Sequence, residues 1–162
     1  MMPTDQPAAV PKAIPKPTPE TRPFWDGAAA GELRVQRCLS CLRHYFYPRP
    51  VCPHCGTSEV EWVTVSGRAT LYSYVISHRP APGFAGDGPY AIAVVELEEG
   101  VRMMTNIVGI EITPENLELD MPLRVVFEPR GDVHVPLFQP ATAQAPAQAP
   151  TPATAPAIKD NR

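Results

Sequence analysis

The chain has 162 residues, of which 22 are proline, and a formal net charge of −3. Residues 24–139 contain nine arginines, no lysine and fourteen acidic residues, which leaves −5 and argues against phosphate-backbone binding, since that mode needs dense Lys and Arg. No run of 18 apolar residues and no secretory apolar segment occurs, so we expect no membrane span and a cytoplasmic location.

Both ends of the chain are rich in proline and alanine and poor in large apolar residues. Residues 1–21 and 140–162 have no apolar periodicity, and they bury too little to offset the entropy of folding, so we expect disordered Pro/Ala-rich tails. The remainder predicts a mainly β protein in two parts. Residues 22–62 would hold a helix and a metal-binding ribbon, and residues 63–139 a barrel.

The first predicted element is a short N-terminal helix in the stretch RPFWDGAAAGEL, residues 22–33. Its alanines favour a helix, and Gly31 is suited to cap the C-terminal end because glycine adopts positive φ angles at little cost. Phe24 and Trp25 are either core anchors or an apolar face for a partner. We favour the core, because an isolated aromatic pair most often packs inside.

All four cysteines lie in the next segment, CLSCLRHYFYPRPVCPHC, residues 38–55. Two C-x-x-C pairs, ten residues apart, direct four thiolates at one ion and predict a rubredoxin-like zinc ribbon. A rubredoxin-type iron site is the main alternative, and a dithiol redox centre is a weaker one. Four thiolates leave no open position for water, so we expect a structural metal. The predicted ligands are Cys38, Cys41, Cys52 and Cys55.

Period-two alternation then predicts strands through most of residues 60–138. In the first long strand we expect one face to hold Ala69, Leu71, Ser73 and Val75. The next two strands form a hairpin that turns at Glu98–Gly100. A turn or short helical piece begins at Thr113, before two final strands. Five strands with one insert before the fourth are typical of a five-stranded OB-fold barrel; an SH3-like barrel or an open sandwich is the alternative.

The longest irregular segment of the folded part is HRPAPGFAGDGPY, residues 78–90. Loops of this length inside a compact domain are usually functional or mobile. Arg79 is suited to bind a carboxylate or phosphate, although an exposed arginine at a strand end explains it equally well. The predicted ligand or partner loop residues are His78, Arg79, Phe84 and Tyr90.

The sequence carries none of the catalytic motifs G-x-S-x-G, H-E-x-x-H, G-x-G-x-x-G or the P-loop. The cysteines are committed to metal, and His78 and His134 stand alone without an orienting partner in the sequence. We therefore predict no catalytic residue.

Four segments together resemble a known family: PFWDG…GEL, QRCLSCLRHYFYPRPVCPHCG, SGRATLYSY and HRP…PY. They are similar to the zinc-ribbon and OB-fold proteins of domain of unknown function family 35, over about residues 22–139. The resemblance implies a helix, a zinc ribbon with all four cysteines as ligands, and a C-terminal OB barrel. It also implies a non-catalytic subunit that assembles with a thiolase-like enzyme, in some systems with a hot-dog-fold enoyl-CoA hydratase, and shapes an acyl-CoA channel.

Three functional hypotheses follow. The first is an accessory subunit in acyl-CoA thioester metabolism, such as lipid or steroid side-chain degradation. The second is a nucleic-acid-binding module, because zinc ribbons and OB barrels both occur in such proteins and Tyr72 and Tyr74 offer rings for stacking; the negative charge argues against it. The third is electron transfer, if the site holds iron.

Overall fold

A computed structural model describes residues 11–79, 81–84 and 86–141. The protein is mainly β, with one short helix followed by eight strands in this part of the chain. In chain order the elements are α1 (Arg22–Ala29), β1 (Arg34–Cys38), β2 (His44–Tyr45), β3 (Val60–Thr64), β4 (Arg68–Ser77), β5 (Tyr90–Leu97), β6 (Arg102–Ile107), β7 (Pro122–Arg130) and β8 (Val133–Pro140).

Helix α1 ends as the sequence predicts, at a glycine. Gly31 has a φ of +77° and donates its N–H to the carbonyl of Ala28, at 3.1 Å. The next N–H, that of Glu32, bonds the carbonyl of Gly27 at 2.8 Å. This pair of bonds is a Schellman motif, which satisfies carbonyls that the helix itself leaves free. It turns the chain directly into β1.

The ribbon strands form a three-stranded antiparallel sheet in the order β2-β1-β3. β1 is central, so both of its edges are paired, and Val35 and Cys38, which lie on opposite faces of the strand, are fully buried. β3 spans the domain boundary expected between residues 62 and 63. All five of its residues pair with β1 of the ribbon. The ribbon therefore continues two residues further than the expected boundary.

Strands β4 to β8 close into a barrel in the order β4-β5-β6-β8-β7, and β7 pairs back to β4. This is the strand order of an OB fold, so the expectation of a five-stranded OB barrel is confirmed over an open sandwich. The hairpin at Glu98–Gly100 joins β5 to β6 as predicted. The insert that begins near Thr113 forms turns before β7.

One sequence-based assignment in β4 is wrong. Ala69, Leu71, Ser73 and Val75 were expected to share one face, but Ala69 and Leu71 are buried whereas Ser73 and Val75 are exposed. Beyond Leu71 it is Tyr74 and Ile76 that pack against the core. The cause is an irregularity in the pairing of β4 with β5 between Leu71 and Ser73. A β-bulge adds one residue to one strand and so inverts the inward alternation beyond it.

Helix, ribbon and barrel share one hydrophobic core. Phe24 from α1 and Val35 from β1 pack in the same buried cluster as Leu71, Val95 and Phe138 of the barrel. Phe24 is 4% exposed, which confirms the core assignment for this residue, while Trp25 packs against the cluster only in part. A second, smaller cluster surrounds the cysteines. The ribbon thus docks on the barrel through apolar contacts that place the chain after β2 beside β6.

Much of the predicted tail sequence lies outside the described residues, namely positions 1–10 and 142–162, so disorder there stays a prediction. Residues 11–18 carry no helix or strand, yet Lys12 forms an ion pair with Asp87 of the barrel at 2.7 Å. Within the described ranges no helix has the length and apolar character that crossing a membrane requires.

Candidate metal centre and apolar cleft

The four cysteines converge at the end of the ribbon sheet. Cys38 is the last residue of β1, and Cys41 follows it after a tight turn. Cys52 and Cys55 belong to a second turn, where Gly56 has a φ of +79° and its N–H bonds the carbonyl of Cys52 at 3.0 Å. The sequence predicted this convergence from spacing, because each C-x-x-C pair can turn both sulfurs toward one point.

The sulfur atoms fit a tetrahedral ion. Sγ of Cys38 lies 3.5 Å from Sγ of Cys55, and Sγ of Cys41 lies 3.7 Å from Sγ of Cys52. All four lie within 4.8 Å of one another. Zn–S bonds of about 2.3 Å in a tetrahedron place sulfurs about 3.8 Å apart, whereas a disulfide requires about 2.05 Å. The arrangement suits a metal ion with four thiolate ligands.

Backbone amides favour the thiolate form that a metal needs. The N–H of Cys41 donates to Sγ of Cys38 at 3.3 Å, and the N–H of His54 donates to Sγ of Cys52 at 3.4 Å. The amide of Cys41 is the main reason that the pKa of Cys38 falls to about 6. The cluster consists of the four thiols and includes neither His44 nor His54.

A buried glutamine fixes the chain between the two cysteine turns. Gln36 is 5% exposed, and its Oε1 accepts the N–H of Arg49 at 2.6 Å. The hydroxyl of Tyr45 donates to the carbonyl of Arg49 at 3.3 Å. These bonds hold residues 46–48 against α1 and the barrel, and so the metal-binding ribbon positions one wall of the cleft described next.

An apolar cleft opens where two barrel strands separate. Within residues 86–141, the backbone pairing of β6 with β8 is confined to Ile107 and Phe138. On the ribbon side of that pair the strands leave a cavity of about 190 Å³. Its walls come from four elements or segments: Thr21, Phe24, Trp25, Phe46, Tyr47, Pro48, Met103, Met104, Val135 and Pro136. The lining is almost wholly apolar.

This cleft continues into a second, more open one of about 360 Å³. The two share Tyr47, Met104, Val135 and Pro136, and the second extends along β5 past Ile92 to the 78–90 loop. We call the combined surface of Trp25, Tyr47, Ile92, Met104 and Val135 the apolar face. Tyr47 and Met104 are 54% and 60% exposed and line both clefts, and a contiguous patch of exposed apolar side chains marks a binding surface.

The predicted ligand loop divides into two parts. Phe84 and Tyr90 stack, with ring centres 4.7 Å apart, and both line the second cleft. His78 and Arg79 are exposed and line none of the clefts described above; the carbonyl of Arg79 accepts the hydroxyl of Ser77. The structure therefore brings the two aromatic residues together beside the apolar face but leaves His78 and Arg79 apart from it.

Two protein-family models match this chain, one over the ribbon and one over the barrel. Residues 25–61 match the rubredoxin-like zinc ribbon domain of ChsH2, and residues 62–128 match its C-terminal OB-fold domain. A DUF35 domain-containing scaffold protein of Methanothermobacter thermautotrophicus is 34% identical over 96 residues, which cover 59% of this chain and 71% of the relative. This chain belongs to the DUF35/ChsH2 family.

Other relatives of this DUF35 chain are larger proteins. A probable enoyl-CoA hydratase alpha subunit of Thermomonospora curvata is 41% identical over 125 residues, 75% of this chain and 38% of the relative. The 3-oxo-4,17-pregnadiene-20-carboxyl-CoA hydratase alpha subunit of Mycobacterium tuberculosis is 40% identical over 110 residues, 67% of this chain and 33% of the relative. The chain thus spans little more than a third of these two proteins.

A solved structure matches the DUF35 fold over the full length of one of its chains. It is described as the Ltp2-ChsH2(DUF35) aldolase, with 35% identity and a TM-score of 0.69, and the match covers 80% of this chain and 100% of that one. The family's ribbon and barrel are therefore both present here.

Sequence reasoning missed most of the apolar face. Tyr47 and Met104 were not singled out, because they lie 57 positions apart and only the fold places them together. Residues of β6 alternate between buried and exposed, and Met104 lies on the exposed side. This methionine was the one available signal for the apolar face, because large apolar side chains on an exposed strand face suggest a partner.

Proposed function

We propose that this DUF35 chain is a non-catalytic accessory subunit that binds a thiolase-like enzyme, either an acyl-CoA acetyltransferase or an aldolase. The observation that carries the proposal is the exposed apolar face beside the ribbon, in a fold that matches an entire chain of the Ltp2-ChsH2(DUF35) aldolase. The name scaffold protein, given to the archaeal relative, supports the same role.

The apolar face has the composition of a protein interface. Aromatic residues and methionine are enriched in the centres of such interfaces, and charged residues are depleted there. Trp25, Tyr47 and Met104 meet this description. Arg102, two residues before Met104 on the exposed side of β6, pairs with Glu96 at 2.6 Å. We infer that the partner covers this face with an apolar surface of its own.

The metabolic setting that we propose is acyl-CoA thioester breakdown, such as lipid or steroid side-chain degradation. Two relatives carry hydratase alpha subunit names, and one of these names a steroid acyl-CoA. A hot-dog-fold enoyl-CoA hydratase is accordingly a second partner. We place the shared acyl-CoA site next to Phe84 and Tyr90, where the second cleft offers stacked rings.

We propose zinc as the ion of the four-cysteine site. The match to a rubredoxin-like zinc ribbon supports zinc over iron, and a closed thiolate shell supplies folding free energy rather than chemistry. Colour distinguishes the two ions directly. A colourless protein with one zinc per chain by elemental analysis is expected, and a red oxidised protein would instead favour iron and electron transfer.

The accessory role is tested by assaying the chain with and without a partner. The purified chain alone should turn over no acyl-CoA in thiolase, aldolase or hydratase assays. Co-expressed with a thiolase-like enzyme, it should elute with that enzyme from a sizing column, and the complex should be active. Turnover of an acyl-CoA by the isolated chain, at a rate that scales with its concentration, would contradict the proposal.

A further inference from the structure

The chain before α1 crosses the barrel near the 78–90 loop. Nζ of Lys12 lies 2.7 Å from Oδ2 of Asp87 and 3.8 Å from Oε1 of Glu128. The same ammonium stands 4.9 Å from the ring centre of Phe84. Lys12 is therefore held by two carboxylates and an aromatic face at once. We call residues 11–14, of which Lys12 is the anchor, the strap.

Two glycines allow the strap to lie close to the barrel, because neither has a side chain. A Cβ on Gly83 would stand 2.7 Å from Cα of Lys12 and 2.9 Å from the carbonyl oxygen of Pro11, distances that real Cβ atoms do not show. A Cβ on Gly131, in the β7–β8 turn, would stand 2.9 Å from Cδ1 of Ile14. The strap thus contacts both the loop and the turn through their backbones, which is closer than an incidental surface contact requires.

The strap forms one wall of a third cleft. This cavity of about 270 Å³ lies under the 78–90 loop and is lined by Lys12 together with Phe84, Asp87, Tyr90, Asn106, Glu128 and Arg130, among others. Phe84 and Tyr90 also line the second cleft, so their stacked pair separates the two spaces. Arg130 is already paired with Glu128 at 2.7 Å. Among the described residues, Asp87 forms its ion pair with Lys12 of the strap.

We propose that the strap is a tethered ligand, which occupies the Lys12 site under the 78–90 loop and fixes the Phe84–Tyr90 pair until a competing ligand displaces it. The site takes an extended, proline-containing segment with one lysine, which is the chemistry of the chain's own residues 11–14. A displaced strap frees Asp87 and opens the third cleft. The proposal concerns the isolated chain and stands whether or not the accessory role is correct.

Proteolysis at the anchor itself tests this inference. Endoproteinase Lys-C cleaves after lysine, and the only lysines are Lys12, Lys16 and Lys159; Lys16 precedes a proline, which blocks cleavage there. Cleavage of the full chain between Lys12 and Ala13 therefore reports how often the strap leaves its site. The rate should be at least tenfold below that of a free peptide with the sequence of residues 8–20.

Matched variants keep the lysine and alter its site. Asp87→Ala should raise the cleavage rate about three- to fivefold, the loss typical of one partly exposed ion pair. Gly83→Ala should raise the cleavage rate more, because the alanine Cβ would collide with the backbone of the strap. Gly88→Ala is the control, because Gly88 has a positive φ in the same loop but no atom within 4 Å of its Cβ position. It should leave the rate unchanged.

Two results would overturn the proposal. One is wild-type cleavage as fast as that of the free peptide. The other is equal rates in wild type, Asp87→Ala and Gly83→Ala.

Hydrogen exchange provides the reciprocal measurement. In Lys12→Ala the amides of Phe84 and Asp87, which are hydrogen-bonded within the loop, should exchange faster, while Lys16→Ala should have no effect. Identical exchange in both variants would contradict the claim that the strap fixes the loop.

Discussion

The ring of Phe24 on α1 lies 5.3 Å from the ring of Phe46, which follows the ribbon strand β2. This contact joins the metal-binding ribbon to the helix and, through the buried Phe24, to the barrel core. Both rings line the apolar cleft. The four-cysteine site and the proposed partner surface are therefore connected through packed side chains, although no cysteine lines the cleft.

Loss of the metal should consequently weaken partner binding as well as stability. Cys52→Ser replaces a buried thiol of the four-cysteine cluster and should prevent binding of the proposed ion, lower the melting temperature and loosen residues 46–48. Metal content by elemental analysis and melting by calorimetry measure this. His54→Ala is the control, since His54 is an exposed neighbour outside the thiol cluster. A variant Cys52→Ser that keeps one ion and wild-type melting would contradict a four-thiolate site.

A charge on the apolar face should disrupt the complex without unfolding the chain. Met104→Glu places a carboxylate at the centre of the face, where a partner would strip it of water, so the dissociation constant for the thiolase-like partner should rise at least tenfold. Leu119→Glu is matched, because both side chains are 60% exposed and Leu119 lines neither part of the face. Equal affinities in the two variants, measured by calorimetric titration, would move the interface elsewhere.

Gly67, between β3 and β4, packs tightly against β7. Its carbonyl accepts the N–H of Val125 at 2.8 Å, and a Cβ at Gly67 would stand 2.5 Å from Cγ1 of Val125. Gly67→Ala should lower the free energy of unfolding by about 1–2 kcal/mol for its positive φ, and by about 1–3 kcal/mol more for the collision.

Gly100→Ala measures the cost of the positive φ alone, so the difference between the two variants gives the contribution of the collision. Gly100 has a φ of +77° but no atom within 4 Å of its Cβ position, so only the conformational cost applies. Urea unfolding of both variants measures the difference. If Gly67→Ala and Gly100→Ala lose equal stability, the collision with Val125 makes no contribution.

Glu32 should make stability depend on pH in the acid range. Hydrogen bonds from Arg34 hold the pKa of the Glu32 carboxyl below its ordinary value of 4.5, with a further contribution from Thr64. Because the folded pKa is the lower one, the stabilisation is complete above the unfolded value and is lost as pH falls through the folded value. Glu32→Gln should remove this component, which melting temperatures measured from pH 6 to pH 3 would detect as a shallower decline.

The sequence predicted the parts of the molecule that depend on local spacing. The cysteine positions indicated the ribbon, and alternation with turn residues indicated the five barrel strands. Prediction from the sequence failed where the direction of a side chain depends on how two strands pair. After the bulge that follows Leu71, the opposite set of β4 residues points toward the core. Nothing in the local alternation of β4 signals this change.

The functional surface was harder to predict for the same reason. Trp25, Tyr47, Met104 and Val135 come from four separate segments, and only the separation of β6 from β8 creates the space between them. Lys12 is a similar case. Its surroundings in the sequence are proline-rich and suggest disorder, whereas its partners Asp87 and Glu128 lie more than 70 residues away.

The measurement that tests the central claim most directly is an affinity pull-down of the tagged full chain from its native cells, with partner stoichiometry read by mass spectrometry. The account predicts recovery of a thiolase-like enzyme at near-equal stoichiometry, and loss of that enzyme when the bait carries Met104→Glu. Recovery of nucleic acid in place of such an enzyme, or equal recovery of the enzyme by wild type and Met104→Glu, would contradict an accessory subunit that binds through the apolar face.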